Sequence, residues 1–370
     1  MTTSHADTAK RNSPRRRWHQ FSLRTLLIGM AVIGIGTAWL SLQVKRAFDQ
    51  RRAVKELAAV AKVSFGAPRT WAQRNKWLRL WLGDEAILDV IWVDFDQGED
   101  EELDAIDDRQ VSDSDLAHLG GMTQLEWLDL RNTHVSDAGL AHLRGLTKLT
   151  RLNLGNTHVS DAGLAYLREL TQLEDLSLLD TQVSDAGLAH LGGLTQLQGL
   201  NVANTQVSDT GLAHLSSLTQ LNSLDLTNTQ VSDTGLAHIG GLTQLTALDI
   251  DKTRVTDAGL AHLSGLTRLY LLRISSTQVS DAGLVHLSGL TQLRFLLISN
   301  TQVTDAGLAH LSGLSQLNVL DVSNTQVSDA GLAHLSGLTQ LFWLDVHQTQ
   351  VSDAGSSRLS ESLPKLEVRR

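Results

Sequence analysis

The chain has 370 residues, a formal net charge of −9 and no cysteine, which excludes disulfides and thiolate metal sites. Residues 1–62 hold 12 Lys/Arg against 3 Asp/Glu, which leaves 31 − 12 = 19 basic and 40 − 3 = 37 acidic residues, a charge of −18, for the rest. So acidic a body argues against nucleic-acid binding, which needs clustered Lys/Arg on phosphates, and 3 prolines with 29 glycines argue against a disordered or collagen-like chain.

Residues 1–20 read as a basic tail. Residues 25–42, T-L-L-I-G-M-A-V-I-G-I-G-T-A-W-L-S-L, then run for 18 positions without a charge. That is enough helix to cross most of a hydrocarbon core of about 30 Å. Lys10, Arg11, Arg15, Arg16, Arg17 and Arg24 precede it, and Trp18 and Trp39 suit its two interfaces. A single transmembrane helix is therefore expected over 21–44. The rival reading is a cleaved signal peptide with a weak site at Gly36-Thr37-Ala38, but the apolar run continues past that site. Lys45, Arg46, Arg51, Arg52 and Lys55 follow the span, so the count of basic flanks favours a cytoplasmic tail and an external body by a narrow margin.

Residues 45–70 read as a juxtamembrane stalk, helical in composition as far as residue 62. Residues 71–110 read as an N-terminal cap with an acidic loop. Within it, W-A-Q-R-N-K-W-L-R-L-W-L (71–82) fits a capping helix that buries Trp77, Leu78 and Trp81. A membrane-interface or nucleic-acid-stacking helix is the alternative. A-I-L-D-V-I-W-V-D-F (86–95) is rich in β-branched and aromatic residues and predicts a strand. The run 96–108, with eight acidic residues in thirteen, suits a solvated loop, and its spacing is not that of an EF-hand.

From residue 111 to 370 one phrase recurs. Asp113, Asp137, Asp161, Asp185, Asp209, Asp233, Asp257, Asp281, Asp305, Asp329 and Asp353 stand 24 residues apart, the mark of a solenoid. Each unit reads L-x-x-L-x-[LVI]-x-x-T-x-V-[ST]-D-[AT]-G-L-A-H-L-x-G-L-T-Q. Alternation in L-x-x-L-x-L predicts a strand that turns Leu128 and Leu130 inward and Trp127, Asp129 and Arg131 outward. Leu332, Leu335 and Leu338 share one face of a short helix. Ser328 or Asp329 can cap its start, Gly337 suits a left-handed residue past its end, and Asp329 complements its dipole. Gly331 and its equivalents sit in the first helical turn at a cost of about 1 kcal/mol against Ala, which predicts that a neighbouring coil passes too close for a side chain. Thr133 through Thr349 hold one position in ten units and suit a hydroxyl ladder on backbone groups. In the last unit D-A-G-S-S-R-L-S (353–360) supplies the polar end that a solenoid needs.

The repeats closely resemble the leucine-rich-repeat family. The resemblance implies an α/β fold: a curved right-handed β-α superhelix with parallel strands on its concave face, preceded here by one transmembrane helix. V-[ST]-D-A-G-L is most similar to the cysteine-containing subclass known from F-box-type substrate receptors, although Thr stands where that subclass has Cys. The lead-in W-H-Q-F-S-L-R-T-L-L (18–27) resembles the front of membrane-anchored bacterial leucine-rich-repeat proteins.

The recurring Asp and His raise the question of catalysis. Asp329 and His334 lie about 140° apart around a helix, so no acid–base pair forms within one unit. His118, His142, His190, His214, His238, His262, His286, His310 and His334 recur, yet Tyr166 fills the same slot once. Histidines on adjacent helices, about 8–10 Å apart, are too distant to share a zinc ion. The expectation is a non-enzymatic module with no cofactor and no metal.

Specificity then belongs to positions that vary. The outward residue before the second Leu becomes apolar at Leu271, Phe295, Val319 and Trp343, and the column beside it runs Arg273, Leu297, Asp321, Asp345. An apolar strip rimmed by charge is the pattern of a protein-binding patch. The expected function is a membrane-anchored interaction module for a protein or glycan partner. The alternative is an intracellular adaptor or substrate receptor of the F-box-like kind.

Overall fold

The phrase L-x-x-L-x-L folds as a strand of three residues, because the alternating leucines can leave water only by turning to the same side. The computed structural model describes residues 45, 62–68, 88–94 and 111–370. The chain divides into two units, Met1–Phe48 and Asp49–Arg370, and the strands described below all belong to the second. The expected span 25–42, the helix 71–82 and the acidic run 96–108 lie outside the described residues. Among the described residues no helix is long and apolar enough to cross a membrane.

One sheet of thirteen strands runs in sequence order. It begins with β1 (Lys62–Pro68), antiparallel to β2 (Leu88–Asp94), which pairs in parallel with β3 (Trp127–Asp129). Then follow β4 (Arg151–Asn153), β5 (Asp175–Ser177), β6 (Gly199–Asn201), β7 (Ser223–Asp225) and β8 (Ala247–Asp249). The sheet ends with β9 (Leu271–Arg273), β10 (Phe295–Leu297), β11 (Val319–Asp321), β12 (Trp343–Asp345) and β13 (Glu367–Arg369). From β3 onward the register shift is one repeat, so Trp127 pairs with Arg151 and Trp343 with Glu367. The strand predicted over 86–95 is β2. β1 lies in the segment read as the end of the stalk, where Gly66 and Pro68 interrupt the alternation.

Each strand from β3 to β11 is followed by a turn and a short helix of one or two turns, such as Asp137–Leu140 continued by a 3-10 turn Ala141–Leu143. Such helices do not persist alone. Stacking holds them: Leu125, Leu128, Leu130, Val135, Leu140, Leu143 and Leu146 of one unit are all 0 % exposed. They join a single apolar column running from Val111 to Leu363. Each buried leucine contributes about 1.5–3 kcal/mol. The closing helix Asp353–Ser362 is longer and polar, with Ser356 in the place of the buried leucine of earlier units and Ser357 and Arg358 exposed.

The recurring aspartate has a role that reaches beyond its own helix. Ser328 is the N-cap of the helix Asp329–Leu332, and its hydroxyl accepts from the Ala330 N–H. Asp305, one coil earlier, grips that same serine. The Ser328 backbone N–H donates to Asp305 Oδ1 at 2.7 Å and the Ser328 hydroxyl to Oδ2 at 2.6 Å. The clamp recurs at every coil boundary from Asp113–Ser136 to Asp329–Ser352, with Thr256 and Thr304 replacing serine twice.

The clamp also explains the glycine. A Cβ on Gly259 would lie 2.4 Å from Asp233 Oδ1 and 3.0 Å from Val255 Cγ1, so the previous coil's carboxylate occupies the space a side chain needs. Asp115 holds the glycine's place in the first unit, where its carboxylate receives the Ser112 N–H at 3.0 Å instead.

The threonine ladder forms as expected. Each hydroxyl donates to the carbonyl three residues back, from Thr133 to Leu130 at 2.6 Å through Thr349 to Val346 at 2.5 Å. The left-handed residue is not Gly337, however. It lies just before each threonine, where Asn132, Asn156, Asn204, Asn228, Asn300 and Asn324 have φ of 53–59°. Asparagine tolerates that conformation best among residues with a side chain.

Two outcomes test the clamp. Gly259→Ala should lower the urea midpoint although alanine is the better helix former, and Asp233→Ala should make the second change nearly neutral; additive losses would remove the steric argument. Burial opposes the charge of Asp185, but the Ser208 and Thr210 hydroxyls outweigh it and hold that carboxyl below its ordinary value, as Ser352 does for Asp329. A lowered folded pKa contributes stability that is full above the ordinary value of about 3.9 and lost as the pH falls below it. Asp329→Asn should flatten that acid loss in denaturation curves.

Candidate functional site: the outward strand face

On each strand from β3 to β12 the middle leucine is buried and the residues on either side face outward. Leu271, Phe295, Val319 and Trp343 are register partners on β9 to β12, so they form one column of half-buried apolar side chains. At about 4.8 Å per strand the strip is about 14 Å wide. Two residues that the alternation rule misses extend it, Tyr270 at 41 % and Phe342 at 48 % exposure. Tyr270 meets Phe295 in a tilted ring contact with centroids 5.1 Å apart, and Arg294 lies over the Tyr270 ring at 5.6 Å. They escape alternation because the chain is still turning into the strand at that position.

The C-terminal residues do not fold over the strip. β13 adds to the sheet edge beside β12, placing Glu367 next to Trp343.

The charged neighbours divide by partner. Arg273 reaches back to β8, with Nε 3.0 Å from Asp249 Oδ2 and a terminal nitrogen 3.1 Å from Asp251 Oδ2. Asp345 is buried, 2.7 Å from His347 Nδ1 and 3.4 Å from the Arg369 guanidinium. Asp321 alone of the three has no oppositely charged partner among the described residues. Burial raises the Asp249 and Asp251 carboxyls above their ordinary value, only partly offset by the Asp251 N–H for the first and the Ser275 N–H and Arg273 for the second.

A common geometry fixes the second outward column. Asn153, Asn201, Asp225, Asp321 and Asp345 each accept, through Oδ1, the N–H two residues ahead at 2.9–3.0 Å. Since an N–H can bond only an acceptor, the oxygen of each amide points to the turn and its NH2 points away. This column therefore presents polar atoms in set orientations.

At the other end of the face, Gly199 leaves a depression of about 380 Å³ between β3 and β7. A Cβ there would meet Asp175 Oδ1 at 2.4 Å, so glycine lets that carboxylate lie across β6. Arg151 Nε pairs with Asp175 at 3.2 Å.

The recurring histidines sit on the opposite, helical side, exposed or half-buried. Tyr166, in the same slot, packs against the core beneath Arg144, 4.5 Å from its ring. The acids of the repeat are committed to the coil clamps.

Comparison with known proteins fits this geometry. Residues 123–166 match a model of two leucine-rich repeats and residues 217–240 a single leucine-rich repeat. The fold is similar to an internalin from Listeria monocytogenes, at 25 % identity and a TM-score of 0.52, over 73 % of this chain and 91 % of that one. It is also similar to a leucine-rich-repeat protein of Leptospira interrogans, at 17 % identity and a TM-score of 0.51, over 69 % and 74 % of the two chains. No curated protein sequence matches it.

Arg273→Gln leaves the buried Asp251 and the half-buried Asp249 without their cation. It should cost about 1 kcal/mol at pH 7 after solvent screening of the half-exposed guanidinium. Raised folded pKa values mean that the cost of burying the two charges is full at neutral pH and disappears as the pH falls through them. The loss should therefore shrink on acidification, read as the difference in urea midpoints; a pH-independent loss would contradict the assignment.

Proposed function

From a chain built of leucine-rich repeats, we infer a non-enzymatic interaction module whose protein partner seats on the apolar strip of the strand face. Stacked repeats hold an extended surface rigidly, which is how solenoids bind. The observation that carries the reading is the contiguous column Leu271, Phe295, Val319, Trp343, widened by Tyr270 and Phe342 and left uncovered by the C-terminal strand. Aromatic side chains in a desolvated centre, ringed by polar groups, carry most of the energy of protein interfaces. Asp321, held by the Ser323 N–H at 2.9 Å, offers a fixed carboxylate at the rim.

The reading includes a membrane anchor. The charge-free run 25–42 with its basic flank supports a single span, a cytoplasmic tail and an external body of −18.

Phe295→Ala combined with Trp343→Ala should weaken capture of envelope proteins by the full-length chain about tenfold or more. The urea midpoint should stay near that of the parent, because both side chains face outward. Undiminished capture of the same proteins would remove the strip as the site. Protease added to intact cells should digest the body, and complete protection would reverse the orientation.

A further inference from the structure

We propose that the depression over Gly199, at the opposite end of the strand face from the apolar strip, is a separate binding site for a neutral saccharide. Its volume of about 380 Å³ lies within the range of ligand pockets, about 300–1,000 Å³. Its shape depends on one residue, because glycine lets the Asp175 carboxylate lie across β6 where a side chain would otherwise stand. Every other unit places a side chain in this column, and Gly199 interrupts it between Asp175 and Ser223.

The polar groups around the gap are held in place and incompletely used. Asn201 spends its oxygen on the Ala203 N–H at 2.9 Å, so its NH2 faces out, and no described residue accepts from it. Asp225 spends Oδ1 on the Thr227 N–H at 2.9 Å and keeps Oδ2 for an incoming donor. The hydroxyls of Ser177 and Ser223 border the same gap. A fixed amide donor beside a fixed carboxylate acceptor, one strand apart, suits a pair of neighbouring hydroxyls, each able to donate and accept. Because the turns hold these atoms before any ligand arrives, little ordering cost remains on binding.

Other ligand classes fit less well. Arg151 is already paired with Asp175 at 3.2 Å, so Asp225 leaves the gap net negative and disfavours an anion. Among the described residues no group of three or more His, Cys, Asp or Glu is arranged to hold a metal ion. An apolar ligand would strand the amide and the carboxylate without partners.

The test is calorimetric titration of the full-length protein with a panel of neutral gluco-, manno-, galacto- and N-acetylhexosamine oligosaccharides, and with a uronic-acid oligomer for contrast. At least one neutral oligosaccharide should bind. Asn201→Ala should weaken it about tenfold, Gly199→Val should abolish it by pushing the Asp175 carboxylate off β6 and into the gap, and Phe295→Ala, in the apolar strip, should leave it unchanged. If Gly199→Val does not fold, Asn201→Ala with an unaltered urea midpoint still decides the matter. No binding by any neutral member, binding of the uronic-acid oligomer alone, or equal binding by parent and Asn201→Ala would each overturn the proposal. Loss on Phe295→Ala instead would move the sugar to the strip.

Discussion

The carboxylate clamp between coils is the contact on which the remaining structure depends. Asp305 closes on both the N–H and the hydroxyl of Ser328, and the same bidentate grip recurs at each boundary. It joins three constraints in one place. It fixes the spacing of neighbouring helix starts, it satisfies a backbone N–H that a short helix leaves free, and it forbids a side chain at the glycine two residues into the next helix. Leucine burial supplies most of the energy, yet leucines alone are indifferent to small slips along the stack. A pair of charge-assisted hydrogen bonds at 2.6–2.7 Å is not.

Because the clamps and the threonine bonds hold each coil from within, the first outward column of the strand face, from Trp127 to Trp343, carries little of that load and varies. It does so unevenly. One end is apolar, from Leu271 to Trp343, and the other is polar and interrupted by Gly199. Between them Arg273, Asp249 and Asp251 form a charged divide on β8 and β9. The two ends therefore differ in the chemistry they can recognise while sharing one rigid frame.

Much of this was legible in the sequence, for a physical reason. A period of 24 with alternating leucines has few ways to bury its apolar face, so strand position, strand order and the outward column followed from counting. The threonine hydroxyls and the crowding at Gly331 followed too, because a residue type repeated ten times reports its environment. Three features were not legible. The aspartate was assigned to its own helix, since its partner is 23 residues away and only stacking brings it near. Gly337 was assigned the left-handed turn because it follows the helix, whereas the tight bend is at Asn324 and its equivalents, after the strand. Arg273 and Asp345 looked like rim charges available to a partner, but both are engaged inside the protein.

The sequence by itself determined that this is a stack of 24-residue, leucine-rich units, that each repeated acid stands at a helix start, and which residues stand along its outward column. Local periodicity carries that information, since burial of a recurring leucine needs only its immediate neighbours. The tertiary structure alone decided which carboxylate clamps which coil, that Tyr270 and Phe342 join the strip, and that Gly199 opens a hollow bordered by oriented amide and carboxylate groups. These depend on distances between residues a whole repeat or more apart, which no pattern along the chain specifies.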